Sequence, residues 1–245
     1  MRSPLRDTLA ELMMEAVESP AAAAPLCWLS AYCALLSHGE PSFAAWAVAV
    51  KARTDGTPWC DWSGEDVGRH LIEEVGLLVE EEGHVLPRPE YRGEWGEVAG
   101  VADRYWKCLQ NMHERSYPPG LAGTLLRGAV LWQYHCFFEF HELVEPVWMA
   151  WRGAGKDFLR GLIQLAVAFY HIQQGNRSGA LAKFGKGLAK VAPHRPCYLG
   201  VELEGFLQAI DRCWEIVKTR HPEDLAEFDW SLVPPMIVRE ATQTG

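Results

Sequence analysis

The chain has 245 residues, of which 49% are hydrophobic and 22% charged, and its net charge is −9. This is an ordinary globular mixture, long enough for one large domain or two small ones, with no internal repeat or low-complexity segment. The longest apolar run, Ala21 to Leu36, is too short to span a bilayer and contains Pro25.

Residues 5–18 read as a first helix, with Leu5, Leu9, Leu12 and Val17 near one face. Its acids Glu11, Glu15 and Glu18 precede the apolar run, so the basic flank of a signal peptide is missing. The expectation is a cytoplasmic protein, no membrane association, and seven reduced Cys; no CxxC pair suggests a zinc ribbon or a thioredoxin-like motif. Two more helices are expected over 26–37 and 43–53, broken at Gly39-Glu40-Pro41 and ended by Gly56-Thr57-Pro58. Ser63 is placed to cap a fourth over about 65–75, with Asp66 at the positive end of its dipole.

Leu77-Leu78-Val79 and His84-Val85-Leu86, separated by Glu81-Glu82-Gly83, read as a β-hairpin. Helices followed by a hairpin give the order of a winged-helix module. A DNA reader of that type needs a basic recognition helix, whereas Glu65, Asp66, Glu73 and Glu74 here face only Arg69. Residues 60–100 carry eleven acids against three Lys or Arg, a balance of −8, which repels phosphate. The expectation is therefore contact with protein, not DNA. Trp59, Trp62 and Trp95, beside these acids, are candidate anchors for a protein partner or core residues.

A helix over about 97–115 follows. Pro118-Pro119-Gly120 is the sharpest break in the chain, so the sequence predicts a helical module with a hairpin over 1–115 and a second domain over 116–245. The second is expected to be a bundle of about five helices, making the protein mainly α. Its helices are placed at 121–132, 136–151, from a cap at Asp157 to Gly175-Asn176, at 178–191 and at 200–219. Residues 151–200 carry eight Lys or Arg and only Asp157, a balance of +7. Lys183, Lys186 and Lys190 share one helical face near His194 and Arg195, a stripe suited to RNA or another anion if it is more than a solvated face.

The informative stretch is Phe137-Phe138-Glu139-Phe140-His141-Glu142-Leu143-Val144-Glu145-Pro146-Val147-Trp148. At about 100° per residue, Phe137, His141, Val144 and Trp148 fall on one face, with Glu145 at its edge, Glu142 further round and Glu139 pointing outward. Pro146 removes one backbone bond and should kink the helix. In the next helix Phe158, Leu162, Leu165, Phe169 and Ile172 form an apolar face, and Ile163, Val167, Ala168 and Tyr170 leave only the stripe Arg160, Gln164 and His171 polar. A helix apolar nearly all round is a buried one, so its polar stripe should meet another. The expected cluster is His141, Glu142, Glu145, Arg160, Gln164 and His171, with Arg160 at the rim.

These residues carry a resemblance. The runs Phe138 to Glu142 with Glu145 and Trp148, and Phe158 to Ala166 through Tyr170-His171 to Gly175-Asn176 and Gly179-Ala180, resemble the signature of the domain of unknown function 309 family over about 115–238, with Pro234-Pro235 matching its tail. The resemblance implies a compact helical bundle and no particular activity. Pro146 departs from its pattern, and the first 115 residues lie outside it.

The cluster has two readings. One is a buried, mutually satisfied network in a non-enzymatic interaction or scaffold protein that needs no cofactor. The alternative is a metal-dependent, hydrolase-like enzyme in which His141 and Glu145, spaced i, i+4, and His171 bind a divalent ion. The HExxH pattern is met only in part, with Glu145 where its second His would stand, and paired Glu-x-x-His elements are absent. Cys136, one residue from His135, reads as a buried thiol. No GxGxxG, P-loop or GxSxG motif suggests nucleotide binding or serine-hydrolase chemistry.

Overall fold

In the computed structural model the described residues are 4–36, 42–55 and 64–239, apart from the side chains of residues 55, 64–66, 222 and 223. The expected breaks at Gly39-Glu40-Pro41 and Gly56-Thr57-Pro58, the Ser63 cap, Trp59 and Trp62, and the side chains of Glu65 and Asp66 lie outside the described residues. The protein is mainly α, with ten α-helices and short antiparallel strands among the described residues. It divides into two compact units, Met1–Arg115 and Ser116–Gly245.

In the first unit, α1 (Pro4–Glu18) opens with proline, whose missing N–H is no loss at that position. It buries Leu5, Leu9, Leu12, Met13 and Val17. The next helix, α2 (Ala24–Leu36), packs against α1 and α5 (Trp95–His113) and buries Leu26, Cys27, Trp28, Leu29 and Tyr32 among others. Trp28 and Tyr32 stack with ring centroids 5.7 Å apart, and Trp95 meets Tyr32 edge-on at 6.0 Å. Trp95 is thus a core residue rather than an exposed anchor, being 8% exposed. The Tyr32 hydroxyl donates to the Val85 carbonyl at 3.0 Å. Burial lifts the Tyr32 phenol far above its ordinary range and pushes the neighbouring Cys33 thiol up to about 12.

The hairpin consists of β2 (Leu78–Glu81) and β3 (His84–Pro87), with Glu82 and Gly83 both at positive φ as a two-residue hairpin turn requires. A further strand, β1 (Phe43–Ala44), pairs with β3 in the order β1-β3-β2. Residues 43–44 are therefore extended, not helical, and α3 (Ala45–Asp55) begins after them: pairing to Val85 and His84 outcompetes local helix propensity. After α4 (Gly64–Arg69) the chain widens into a π-helical segment, His70–Glu74, before the hairpin.

Among the described residues the second unit holds five α-helices: α6 (Leu121–Gln133), α7 (Phe137–Ala150), α8 (Lys156–Gln173), α9 (Arg177–Val191) and α10 (Glu204–Thr219). Trp132 is fully buried, with Phe137, Phe140, Phe169 and Phe206 at centroid distances of 5.2, 5.5, 5.6 and 5.3 Å. Its indole N–H donates to the Pro234 carbonyl at 2.8 Å, which ties the tail to the core. The structure corrects two local expectations. The cap of α8 is Gly155 at φ 97°, and Asp157 lies inside the first turn without capping it. A Cβ at Gly155 would lie 3.1 Å from the Tyr198 ring, so this tight approach places the turn on a glycine. The last helix starts at Glu204 because β4 (Cys197–Tyr198) and β5 (Val201–Glu202) form a small hairpin ahead of it.

The backbones of α8 and α9 meet through two glycines. A Cβ on Gly161 would lie 2.6 Å from the Val191 side chain, and one on Gly187 would lie 2.7 Å from Leu165 and 3.0 Å from the Gly161 carbonyl. No side chain larger than hydrogen fits there without moving a neighbour.

Candidate binding seam between α7 and α8

Three side-chain contacts set the register of the antiparallel α7–α8 pair. Phe137 stacks on Phe169 at 5.0 Å, Phe138 meets Tyr170 at 5.4 Å, and the Arg160 guanidinium lies 5.8 Å from the centroid of the Trp148 ring. Gln164 therefore falls opposite Val144, one turn from Trp148, while His171 falls beyond His141 toward the N-terminal end of α7.

The buried side of α7 holds Phe137, Phe140, Leu143 and Val144, and with them Glu139, only 4% exposed and not without a partner. The expected orientation is thus reversed. Glu139 does not point outward; His141, Glu142 and Glu145 have side chains 21%, 40% and 39% exposed. The physical reason is that α7 is apolar around most of its circumference, so its pattern defines no single buried face. Glu139 shares a face with Cys136 and Leu143 by i+3 and i+4 spacing and is carried inward with them. Pro146 is exposed, and α7 continues through it to Ala150.

The polar residues do not join into one network. His141 Nδ1 lies 2.9 Å from Glu142 Oε1 and its Nε2 lies 3.4 Å from Glu145 Oε2. The two carboxylates occupy opposite edges of one ring and offer no common point for an ion. His171 Nδ1 lies 3.2 Å from Asn176 Nδ2, and Asn176 Oδ1 caps α9 by accepting from the Gly179 N–H at 2.9 Å. Partial burial and the Lys183 charge hold the His171 imidazole below its ordinary value. Among the described residues, no group of three or more His, Cys, Asp or Glu is placed to hold a metal. Nor, among them, does a hydrogen bond or ion pair link Arg160, Gln164 or His171 to His141, Glu142 or Glu145.

Arg160 instead packs on Trp148, as does Lys156, whose ammonium lies 5.7 Å from the ring centroid. Trp148 is half-buried, and its Nε1 is buried without a hydrogen-bond acceptor. Gln164 is 8% exposed, and its Oε1 is likewise buried without a donor. A donor and an acceptor thus stand unmatched on one seam.

At the C-terminal end of α7, Met149 is 61% exposed, and Pro146, Val147, Ala150, Trp151 and Arg152 line a hollow of about 430 Å³. Arg152 donates to the Met149 carbonyl at 2.8 Å, a cation at the negative end of the helix dipole. Sequence reasoning missed this surface; the only signal was the i, i+4 pair Lys156 and Arg160 just beyond an aromatic-rich helix end. Lys186 is exposed while Lys183 and Lys190 are half-buried on α9, and none forms an ion pair among the described residues. Cys136 is buried, forms no disulfide, and its thiol donates to the Tyr134 carbonyl at 3.6 Å.

Residues 125–182 match the family model Domain of unknown function (DUF309). The matched DUF309 span runs from within α6 into α9 and contains the whole seam, while the first unit lies outside it. No curated protein and no solved structure matches the chain. No helix among the described residues is long and apolar enough to cross a membrane.

Proposed function

We propose that this is a cytoplasmic interaction or scaffold protein whose second unit docks an acidic segment with apolar side chains at the C-terminal end of α7. The observation that carries this reading is the exposed Met149 beside the hollow at Pro146, Val147 and Trp151, edged by Arg152, Lys156 and Arg160. Apolar surface next to cations suits a partner of opposite charge, which the attraction steers and the apolar contact holds. The two units are proposed as separate domains, the first a winged-helix-like module that contacts protein and not DNA. The sheet order β1-β3-β2 and the exposed acids Glu73, Glu74, Glu80, Glu81 and Glu82 support that assignment. The α9 stripe of Lys183, Lys186 and Lys190 is a solvated face in this reading.

Site-specific photo-cross-linking tests it. A cross-linker at position 149 should trap a partner, and one at Leu232, also exposed, should not. The joint change Lys156→Glu and Arg160→Glu should abolish the product, and Lys183→Glu with Lys186→Glu should leave it. Equal products from positions 149 and 232 would sink the proposal.

A further inference from the structure

We infer that Met149 is a reversible oxidation site, and that conversion of its thioether to the sulfoxide by hydrogen peroxide or an organic hydroperoxide switches off docking at the C-terminal end of α7. This rests on the proposed docking of an acidic segment and names how that site is regulated. Met149 is 61% exposed, whereas Met13, Met112 and Met236 are no more than 5% exposed and Met14 is half-buried. Thioether oxidation follows access, so among the described methionines the oxidant meets Met149 first. The step is a simple oxygen transfer. A sulfur lone pair attacks one peroxide oxygen, the O–O bond breaks as the S–O bond forms, and sulfur gives up two electrons. The other oxygen leaves as water or an alcohol, taking the proton of the transferred hydroxyl.

What changes is the character of the side chain where docking needs it apolar. A flexible thioether, which packs against apolar surface in many orientations, becomes a polar and chiral group. The neighbouring charges enlarge the effect. Arg152 donates to the Met149 carbonyl at 2.8 Å, and Lys156 donates to the same oxygen at 3.5 Å, so two cations are anchored on this residue's own main chain. A thioether offers a cation only a weak acceptor, whereas a sulfoxide oxygen is a strong one. The sulfoxide therefore competes with the carboxylates of the docked segment for Arg152 and Lys156. It also sets a polar oxygen beside the hollow lined by Val147, Ala150 and Trp151, where an apolar side chain of that segment is held. The ionic and the apolar parts of the contact weaken together, and reduction of the sulfoxide restores both.

The test uses the full chain with Cys197, an exposed thiol, changed to Ser so that its own oxidation does not intrude. Hydrogen peroxide is added for increasing times, and sulfoxides are located by peptide mass spectrometry. Met149 should be oxidised at least about tenfold faster than Met112 or Met236. The docking probe is an acetylated, amidated decapeptide of alternating Glu and Leu, trapped by a photo-cross-linker at position 150 on the wall of the hollow. The product should fall at least about fivefold as the Met149 sulfoxide forms, and return when reductases for both sulfoxide epimers are supplied. In Met149→Leu, whatever the starting yield, peroxide should leave the product where it was. Oxidation of Met149 no faster than that of Met112, a product undiminished on the oxidised chain, or equal peroxide sensitivity in Met149→Leu would each overturn the inference. A product that survives oxidation leaves the docking proposal standing and removes only the switch; no product from the untreated chain removes both.

Discussion

The helix α8 faces two neighbours, and the two seams are built on opposite principles. Toward α9 it presents Gly161 against Gly187, and the backbones approach so closely that a Cβ on either would overlap Val191 or Leu165. Toward α7 it presents a ladder of rings, Phe169 on Phe137 and Tyr170 on Phe138, and beyond them a rim where Gln164 and Trp148 keep unmatched polar atoms. The first seam is filled by van der Waals contact and tolerates no change in volume. The second is filled at its aromatic end and chemically incomplete at the other. The close-packed backbones lie on one side of the helix and the unmatched polar atoms on the other.

The largest effect should come from the closed seam. Gly187→Val should cost roughly 3 kcal/mol in urea unfolding, because the new side chain must displace Leu165 or push α8 and α9 away from each other. A loss under about 1 kcal/mol would show that the seam is loose and end the contrast. Next comes the buried acid of α7: Glu139→Ala should cost about 2 kcal/mol, since it removes a desolvated carboxylate and leaves its partner unfilled. The open rim should yield less. Glu145→Ala removes a half-exposed contact to His141 and should change stability by no more than about 1 kcal/mol. A larger cost for Glu145 than for Glu139 would restore the buried-network picture of this helix.

The smallest effect is a titration. The His171 imidazole is held low by partial burial and by Lys183, so between its native midpoint and its ordinary value the unfolded chain binds more protons than the folded one. The contribution of His171 to stability is therefore complete above its ordinary value, near 6.5, and is lost as pH falls through the lower native midpoint. Proton NMR should find the midpoint lower in the native protein than in urea, and Lys183→Ala should raise the native value. A native midpoint equal to that of the unfolded chain would show that His171 adds nothing to the pH dependence of stability.

Much of the fold was legible. Regular 3–4 spacing marked α1, α7 and α8, the Pro and Gly breaks bracketed the other bundle helices, and Gly83 after a run of acids marked the hairpin turn. Strands of two residues left no such signature. Phe43–Ala44 and the β4–β5 hairpin have no periodicity to read; the first is held by β3, and in the second β4 and β5 pair with each other while β5 is also bridged by the tail at Val238.

The candidate site was legible as a set of residues and not as an arrangement. The sequence by itself singled out α7 and α8 as helices too apolar to be surface elements, and it named His141, Glu142, Glu145, Arg160, Gln164 and His171 as the polar groups among them. Only tertiary structure decided their partners. A helix with apolar residues nearly all round can be turned by one residue, about 100°, at little cost in buried area. What fixed α7 was the packing of Phe137 and Phe140 against Trp132. That choice buried Glu139, left His141 between two carboxylates of its own helix, and set Trp148 under Lys156 and Arg160. Rotation of a helix about its axis is settled by the shapes of its neighbours, which are far away in sequence.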